Sequence, residues 1–439
     1  MSSVDRAAAV PPTTTIVDLV RLAGAITAEI IRHPLSFSVR TPFRAWLLRA
    51  AQRRGSENLI LNVGVTRILL VGGSALSKGI LDAYPRPDGI TMGEMKRKGM
   101  SVLAPHALTI SDGPEWERLR AFNEHTLDAG RPHRFELEFL GHILAAFDTP
   151  IRDFEGIRAA MSRAMLGVVF GGKAPPSVAE DVQALFELVQ NPIKRMIRSR
   201  SGKRRRERLY RTLRSLWNDR DVARKASLLT SAHHAATSGS AIDETVLLEQ
   251  FPHWMFTFTG SGTDLVGRAL TLILSDPGVR RKVEAELERA GPLENPTTIN
   301  GLSYLEACLL ETAHLFPPVT RTFHSAPNGA SVSGVMIPAR MEVLHSFPLI
   351  SDIEAIGVQR FRPERWMERA KAPPTFDPFL SGTRHCPGQS IIMFVSKAAL
   401  AATVGRQRLT LDGVSLNTDS LPAEFPRRGV KFRPEQRTS

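Results

Sequence analysis

Phe379–Gly388, FLSGTRHCPG, is the stretch from which the rest of this 439-residue chain is best read. It sets a cysteine, Cys386, among an aromatic residue (Phe379), two glycines (Gly382 and Gly388) and a cation (Arg384). A helix-like apolar run, QSIIMFVSKAALAATV, follows at once. A cysteine just ahead of a helix faces backbone N–H groups without intrahelical partners, and the helix dipole favours its anion. That arrangement suits a thiolate that holds an iron. Gly382 permits a sharp loop, and Gly388 lets a flat cofactor come close to the backbone. Arg384 offers a planar fork of donors to a carboxylate at that cofactor's edge.

Outside this loop the composition is that of a globular chain, 42% hydrophobic and 23% charged, with three tyrosines. No internal repeat or long linker interrupts it. Residues 1–12 read as a disordered lead-in and 13–439 as a single domain. The most apolar N-terminal stretch, Thr15 to Ile31, contains Asp18, Arg21 and Glu29, which makes it too polar to span a bilayer. It reads as an amphipathic helix, with contact at a membrane surface left open. The start of the chain lacks the pattern of a secretory signal. Two cysteines, Cys308 and Cys386, make no disulfide framework and fit a reducing cytoplasm. The net charge is +13, of which +10 falls between Lys194 and Arg214, where Glu207 is the one acid among eleven Lys or Arg. No aromatic residue interleaves that run before Tyr210, so single-strand nucleic-acid stacking has little support. A solvated helix face, anionic lipid or an acidic protein partner remain.

Apolar residues at helical spacing predict helices over Trp116–Leu127, Phe135–Phe147, Val178–Ile197, Leu247–Leu274, Gly278–Ala290 and Tyr304–Leu315. Strand-like pieces are few: Leu59–Val63, Arg67–Val71, Ser331–Ile337 and Met341–Phe347, the last two split by Pro338 and Ala339 as a hairpin would be. The fold class is mainly α with a small β region.

The loop Phe379–Gly388 resembles the haem-binding loop of the cytochrome P-450 superfamily, Phe-x-x-Gly-x-Arg-x-Cys-x-Gly, at all five fixed positions. The resemblance implies a helix-rich triangular prism with haem b between two long helices and Cys386 as the iron's axial ligand. SDGPEWERLR (Ser111–Arg120) is similar to the family's helix entry, whose tryptophan and arginine touch a haem propionate, here Trp116 and Arg120. These are four residues apart and share a helix face. His324 falls where the family places Arg or His for the second propionate, with Arg321 as competitor. YLEACLLETAHLFPPV (Tyr304–Val319) resembles the helix that carries Glu-x-x-Arg, here Glu311 and His314. FRPERW (Phe361–Trp366) resembles the segment whose arginine, Arg365, completes that buried network. Histidine cannot make arginine's bidentate fork, but protonated it would keep an ion pair with Glu311.

The family's central helix carries an acid followed by an alcohol. Counting without gaps from Ala269-Leu270 and Pro277 puts Gly260 and Ser261 there. A slide of two puts Gly262 and Thr263 there, and a shift of four offers Asp264 as the acid. The resemblance implies a haem-thiolate monooxygenase that takes dioxygen and a small apolar substrate of the secondary-metabolite kind. That substrate would lie between the central helix and Pro85–Leu108, bordered by Val319 and Thr320. Electrons would come from a separate ferredoxin- or flavodoxin-type protein, since only some fifty residues follow the loop. The missing acid keeps two alternatives in view: a peroxygenase, isomerase or oxidative-coupling enzyme, and a non-catalytic haem- or ligand-binding protein.

Overall fold

The computed structural model describes residues 9–32, 46, 49–50, 52–63, 66–83, 89–190, 192–237, 242–346, 360–368, 379–380, 382–422 and 424–435. Within these, helices form where the apolar spacing predicts them. The helices used below are α1 (Ile16–Arg32), α2 (Ser74–Ala83), α3 (Glu94–Met100), α4 (Gly113–Thr126), α5 (Glu136–Phe147), α6 (Phe154–Phe170), α7 (Ser177–Gln190), α8 (Pro192–Ile197) and α9 (Ser199–Asn218). They continue with α10 (Gln250–Thr257), α11 (Thr263–Ser275), α12 (Pro277–Ala290), α13 (Ser303–Leu315) and α14 (Gln389–Ala401). Of the expected lead-in, residues 1–8 lie outside the described ones. Ala9 and Pro12 are tied in by backbone bonds to Gly334 and Ile60.

Two expected helices are divided. The segment Val178–Ile197 forms α7 and α8, with Pro192 opening the second. A proline there has no N–H to give and clashes with a preceding helical turn. The segment Leu247–Leu274 contains a π turn at Phe258–Gly262, between α10 and α11. Glycine makes the turn possible on one side: a Cβ on Gly262 would stand 2.7 Å from Met161 Cε and 3.0 Å from Ile392 Cδ1. At Gly260 a Cβ would meet only Phe186 Cε1, at an ordinary 3.7 Å. At Gly262 a Cβ would therefore displace the ends of two side chains, whereas Gly260 leaves room.

The sheet has the order β1 (Leu59–Val63), β2 (Thr66–Val71), β7 (Met341–Ser346), β4 (Arg321–Ala326), β3 (Thr91–Met92). The expected hairpin of 331–337 with 341–347 does not form. The first run folds on itself as β5 (Ala330–Val332) and β6 (Val335–Ile337), through a two-residue turn at Ser333 and Gly334 with φ of 48° and 74°. Positive φ at both central residues gives the turn whose twist matches its strands. β7 is thereby free to pair with β4 and, in parallel, with β2. This joins distant parts of the chain and carries His324 into the interior. At the centre lies α14, buried from Ile391 to Ala401.

Candidate active site

Cys386 sits immediately before α14, its N–H donating to the Phe379 carbonyl at 2.8 Å. This closes the loop across seven residues. Gly382, at φ +61°, supplies the bend, and a Cβ there would run into the Asp82 carboxylate on α2. Gly382→Ala is expected to cost roughly 1–3 kcal/mol, from backbone strain and this clash together. Chemical unfolding of wild type and variant measures it. Gly388 has an ordinary φ of −92°, so its role is spatial. A Cβ there would lie about 4.0 Å from Cys386 Sγ and Phe258 Cζ and 3.9 Å from Leu127 Cδ1. Cys386 keeps accessible surface, whereas Cys308 is fully buried and burial holds its thiol well above the ordinary range.

Cations gather at this loop. Arg120 projects from α4 and gives Nη1 to the His385 carbonyl and Nε to Glu124, both at 2.6 Å. Trp116, one turn earlier, is buried. β4 alternates sides, so His324 points inward and Arg321 outward. The His324 ring meets His345 at 4.7 Å, and His345 Nδ1 bonds Ser77 Oγ at 3.2 Å. Burial first, then His345, Arg384 and Lys96, holds His324 well below the usual imidazole range. Lys96, on α3, was not singled out by its sequence. Burial and then Arg384 push it down to about 7. A soft sulfur in the loop, with Arg120 bonded to the neighbouring His385 carbonyl and Arg384 within electrostatic reach of Lys96, is a donor set suited to an iron porphyrin with two carboxylates. By this chemistry the residues fit haem, Cys386 holding the iron and the cationic groups its edge.

The helix facing this loop has one accessible stripe. His253, Phe256, Thr257, Gly260, Ser261 and Asp264 keep partial exposure while Trp254, Met255, Phe258, Thr259, Gly262 and Thr263 are buried. The spacing i, i+3, i+4, i+7, i+8 is that of one helix face beside open space. Burial and then Lys96 push His253 down to about 3. Gly260 and Ser261 lie on this face. Thr263, the alternative hydroxyl, is buried and gives its proton to the Thr259 carbonyl at 2.5 Å, so it does not share the stripe. Asp264 is held by Arg268 at 2.8 Å and Arg427 at 3.0 Å, which spends the carboxylate that a shift of four would offer. Of the expected substrate border, residues 84–88 lie outside the described ones, and Val319 is 54% exposed.

Glu311 is completely buried on α13. Its carboxylate lies 3.1 Å from Arg365 Nε, accepts from the Arg362 N–H at 2.9 Å and from the Trp366 indole at 2.8 Å. The last two partners were missed because their role depends on how FRPERW turns. His314 packs edge-on to Trp366 at 6.1 Å. Burial and then Arg365 push His314 down to about 4, which disfavours near neutral pH the protonated form that could pair with Glu311. Arg365 provides the positive charge.

The family model described as "Cytochrome P450" matches residues 175–426, more than half of the chain. The chain belongs to the cytochrome P450 family. Among curated proteins, the cytochrome P450 monooxygenase sphH of Aspergillus fumigatus is 27% identical over 221 residues, 45% of this chain and 39% of that protein. The N-acetyltryptophan 6-hydroxylase ivoC of Emericella nidulans is 30% identical over 199 residues, 40% of this chain and 38% of its own. The rat cytochrome P450 4V2 is 29% identical over 174 residues, 37% and 33% respectively. The chain thus spans about two-fifths or less of these relatives. Membership in this P450 family accounts for the cysteine loop, the mainly helical body and the small sheets. No helix among the described residues is long and apolar enough to cross a membrane.

Proposed function

We propose that this P450 is a cytoplasmic monooxygenase. It would bind haem b through Cys386 and insert one oxygen atom of dioxygen into a small apolar substrate. Electrons would come from a separate ferredoxin- or flavodoxin-type donor. The supporting observation is a loop that presents one cysteine among cations, approached by Phe258 of a helix that keeps one accessible stripe. When bound, haem supplies the one-electron and oxygen chemistry, and a cysteine ligand makes it electron-rich. Arg384, Lys96, Trp116 and Arg120 hold its edge, with His324 beside them. Phe256, stacked on Phe186 at 4.7 Å, and Gly260 would border the substrate, and Ser261 would be the hydroxyl that holds or passes a proton. Glu311, His314 and Arg365 keep α13 in position. The relative named N-acetyltryptophan 6-hydroxylase supports a small substrate with an aromatic ring.

A second reading rests on a specific absence on that face: glycine, not an acid, precedes Ser261. A peroxygenase, isomerase or coupling enzyme needs less proton delivery from the helix. The two are separated by comparing turnover driven by NADH through a surrogate donor with turnover driven by peroxide. Monooxygenation predicts donor-driven product, and Ser261→Ala is expected to lower it by roughly 10²-fold, the usual weight of one proton-transfer group. Thr263→Val should lower it far less. Product from peroxide alone, indifferent to Ser261, would transfer the conclusion to the second reading. A normal ferrous–CO thiolate spectrum without turnover on any substrate tried would mark a binding protein.

A further inference from the structure

Most polar side chains on the accessible stripe are already committed. The Thr257 hydroxyl donates to the His253 carbonyl of its own helix at 2.8 Å. Asp264 is held by Arg268 and Arg427. The His253 ring is different. Its Nδ1 is buried with no hydrogen-bond partner. Nε2 has none either among the described residues, but it is not buried, and the ring keeps partial exposure. Burial of an N–H without an acceptor is the costlier of the two arrangements open to a neutral imidazole. The proton therefore sits on Nε2, and His253 offers a neutral donor at its accessible edge.

The stripe beyond it is apolar. The Phe256 ring lies 5.4 Å from the His253 ring and stacks on Phe186 of α7 at 4.7 Å. Phe186 also passes Gly260, where a Cβ would meet it at 3.7 Å. Ser261 stands about two turns farther on, roughly 12 Å along the helix axis. Lys96 lies within electrostatic reach of both Arg384 in the cysteine loop and His253, which sets this end of the stripe beside the cationic edge. The charge there is already matched. Arg120 is engaged by Glu124, and Arg384 with Lys96 equal the two carboxylates of haem. A carboxylate on the substrate would meet no spare cation, and a neutral oxygen acceptor costs far less to bring in from water. We propose that His253 is a specificity-determining residue whose Nε2–H donates to a neutral carbonyl oxygen of the substrate. The apolar or aromatic body then lies along Phe256 toward Ser261. This rests on the monooxygenase reading above and narrows its substrate to a ketone, amide or ester oxidised at the end remote from the carbonyl.

The test is a binding titration of the haem-loaded full chain with benzylacetone, butylbenzene and hydrocinnamate, read by the spin-state shift of the haem spectrum and by equilibrium dialysis. These probes share a phenylalkyl body and carry a ketone, a methylene group and a carboxylate in turn. His253→Phe keeps the ring and removes the donor. It should weaken benzylacetone binding about five- to tenfold, the weight of one hydrogen bond, and leave butylbenzene within about twofold. His253→Gln returns a donor and should recover most of the loss. Hydrocinnamate should bind wild type more weakly than benzylacetone does. A normal ferrous–CO spectrum in each variant shows the fold intact. Benzylacetone binding indifferent to His253→Phe, an equal loss for butylbenzene, no recovery in His253→Gln, or tighter binding of hydrocinnamate would each overturn the proposal. Product analysis keeps the two readings apart: a His253-dependent preference for the ketone in a protein that turns nothing over would sink monooxygenation and leave this binding role standing.

Discussion

Cys386→Ala is expected to abolish the thiolate-type ferrous–CO spectrum and to lower haem retention and turnover by more than about 100-fold. Loss of a residue that only hydrogen-bonds to a metal ligand often costs about 10–100-fold, so loss of the ligand itself should cost more. The loop would survive, since the N–H of residue 386 still reaches the Phe379 carbonyl and Gly382 still makes its bend. The effect would be one of ligation, and unfolding midpoints of the haem-free forms should nearly coincide. Cys308→Ala is the control. That thiol is fully buried on α13 and held protonated by burial, so its loss should leave the spectrum intact and cost only packing. Unchanged pigment and spectrum in Cys386→Ala would remove the basis for every role assigned here.

The second large effect is expected at Arg365. Taking away its guanidinium leaves Glu311 buried without its cation, and breaking a buried pair costs roughly 3–5 kcal/mol. Because Arg365 keeps 28% of its side chain exposed, the lower end applies. The cost should depend on pH. Burial, opposed by Arg365, raises the Glu311 carboxyl to about 7 from the ordinary 4.5. The folded protein therefore keeps a proton that the unfolded chain releases between about 4.5 and 7, and Glu311's contribution to stability falls as pH rises through that window. His314 acts in the opposite sense. It stays neutral in the fold down to about 4, while the unfolded chain takes a proton below about 6.5, so its contribution falls as pH drops. The two largely offset each other in wild type where the windows overlap. In Arg365→Ala the carboxyl rises further, and the loss of stability with increasing pH should steepen and extend above 7. Urea unfolding at about pH 5.5 and about pH 8 measures this, with Arg365→Lys expected to recover part of the loss. Equal destabilisation at both pH values would show that the pair does not carry that charge.

Much of the site was legible in the order of residues. The haem loop was, because its demands are local: a bend at 382, a sulfur ahead of a helix, a small residue two positions on. That Trp116 and Arg120 share a face of one helix was legible for a similar reason, since four residues make about one helical turn. Ser261 against Thr263 was not decided by sequence. The choice depends on how the π turn at Phe258–Gly262 rotates the faces of α10 and α11. The hairpin expected at 331–347 failed because one two-residue turn, Ser333-Gly334, outranked the Pro-Ala pair farther on.

Other contributors left no local trace. Lys96 lies in an unremarked basic stretch, His253 in an apolar helix, and His345 in a strand 268 positions from the Ser77 hydroxyl it meets. Amino-acid order alone determined the cysteine loop, the helical body and the concentration of positive charge between 194 and 214. Which cations surround the sulfur and which hydroxyl borders the open face were decided by tertiary structure. The reason is physical. Ligation and helix formation are settled by neighbours along the chain, whereas charge balance and access to open space are settled by whatever packing brings close from far away.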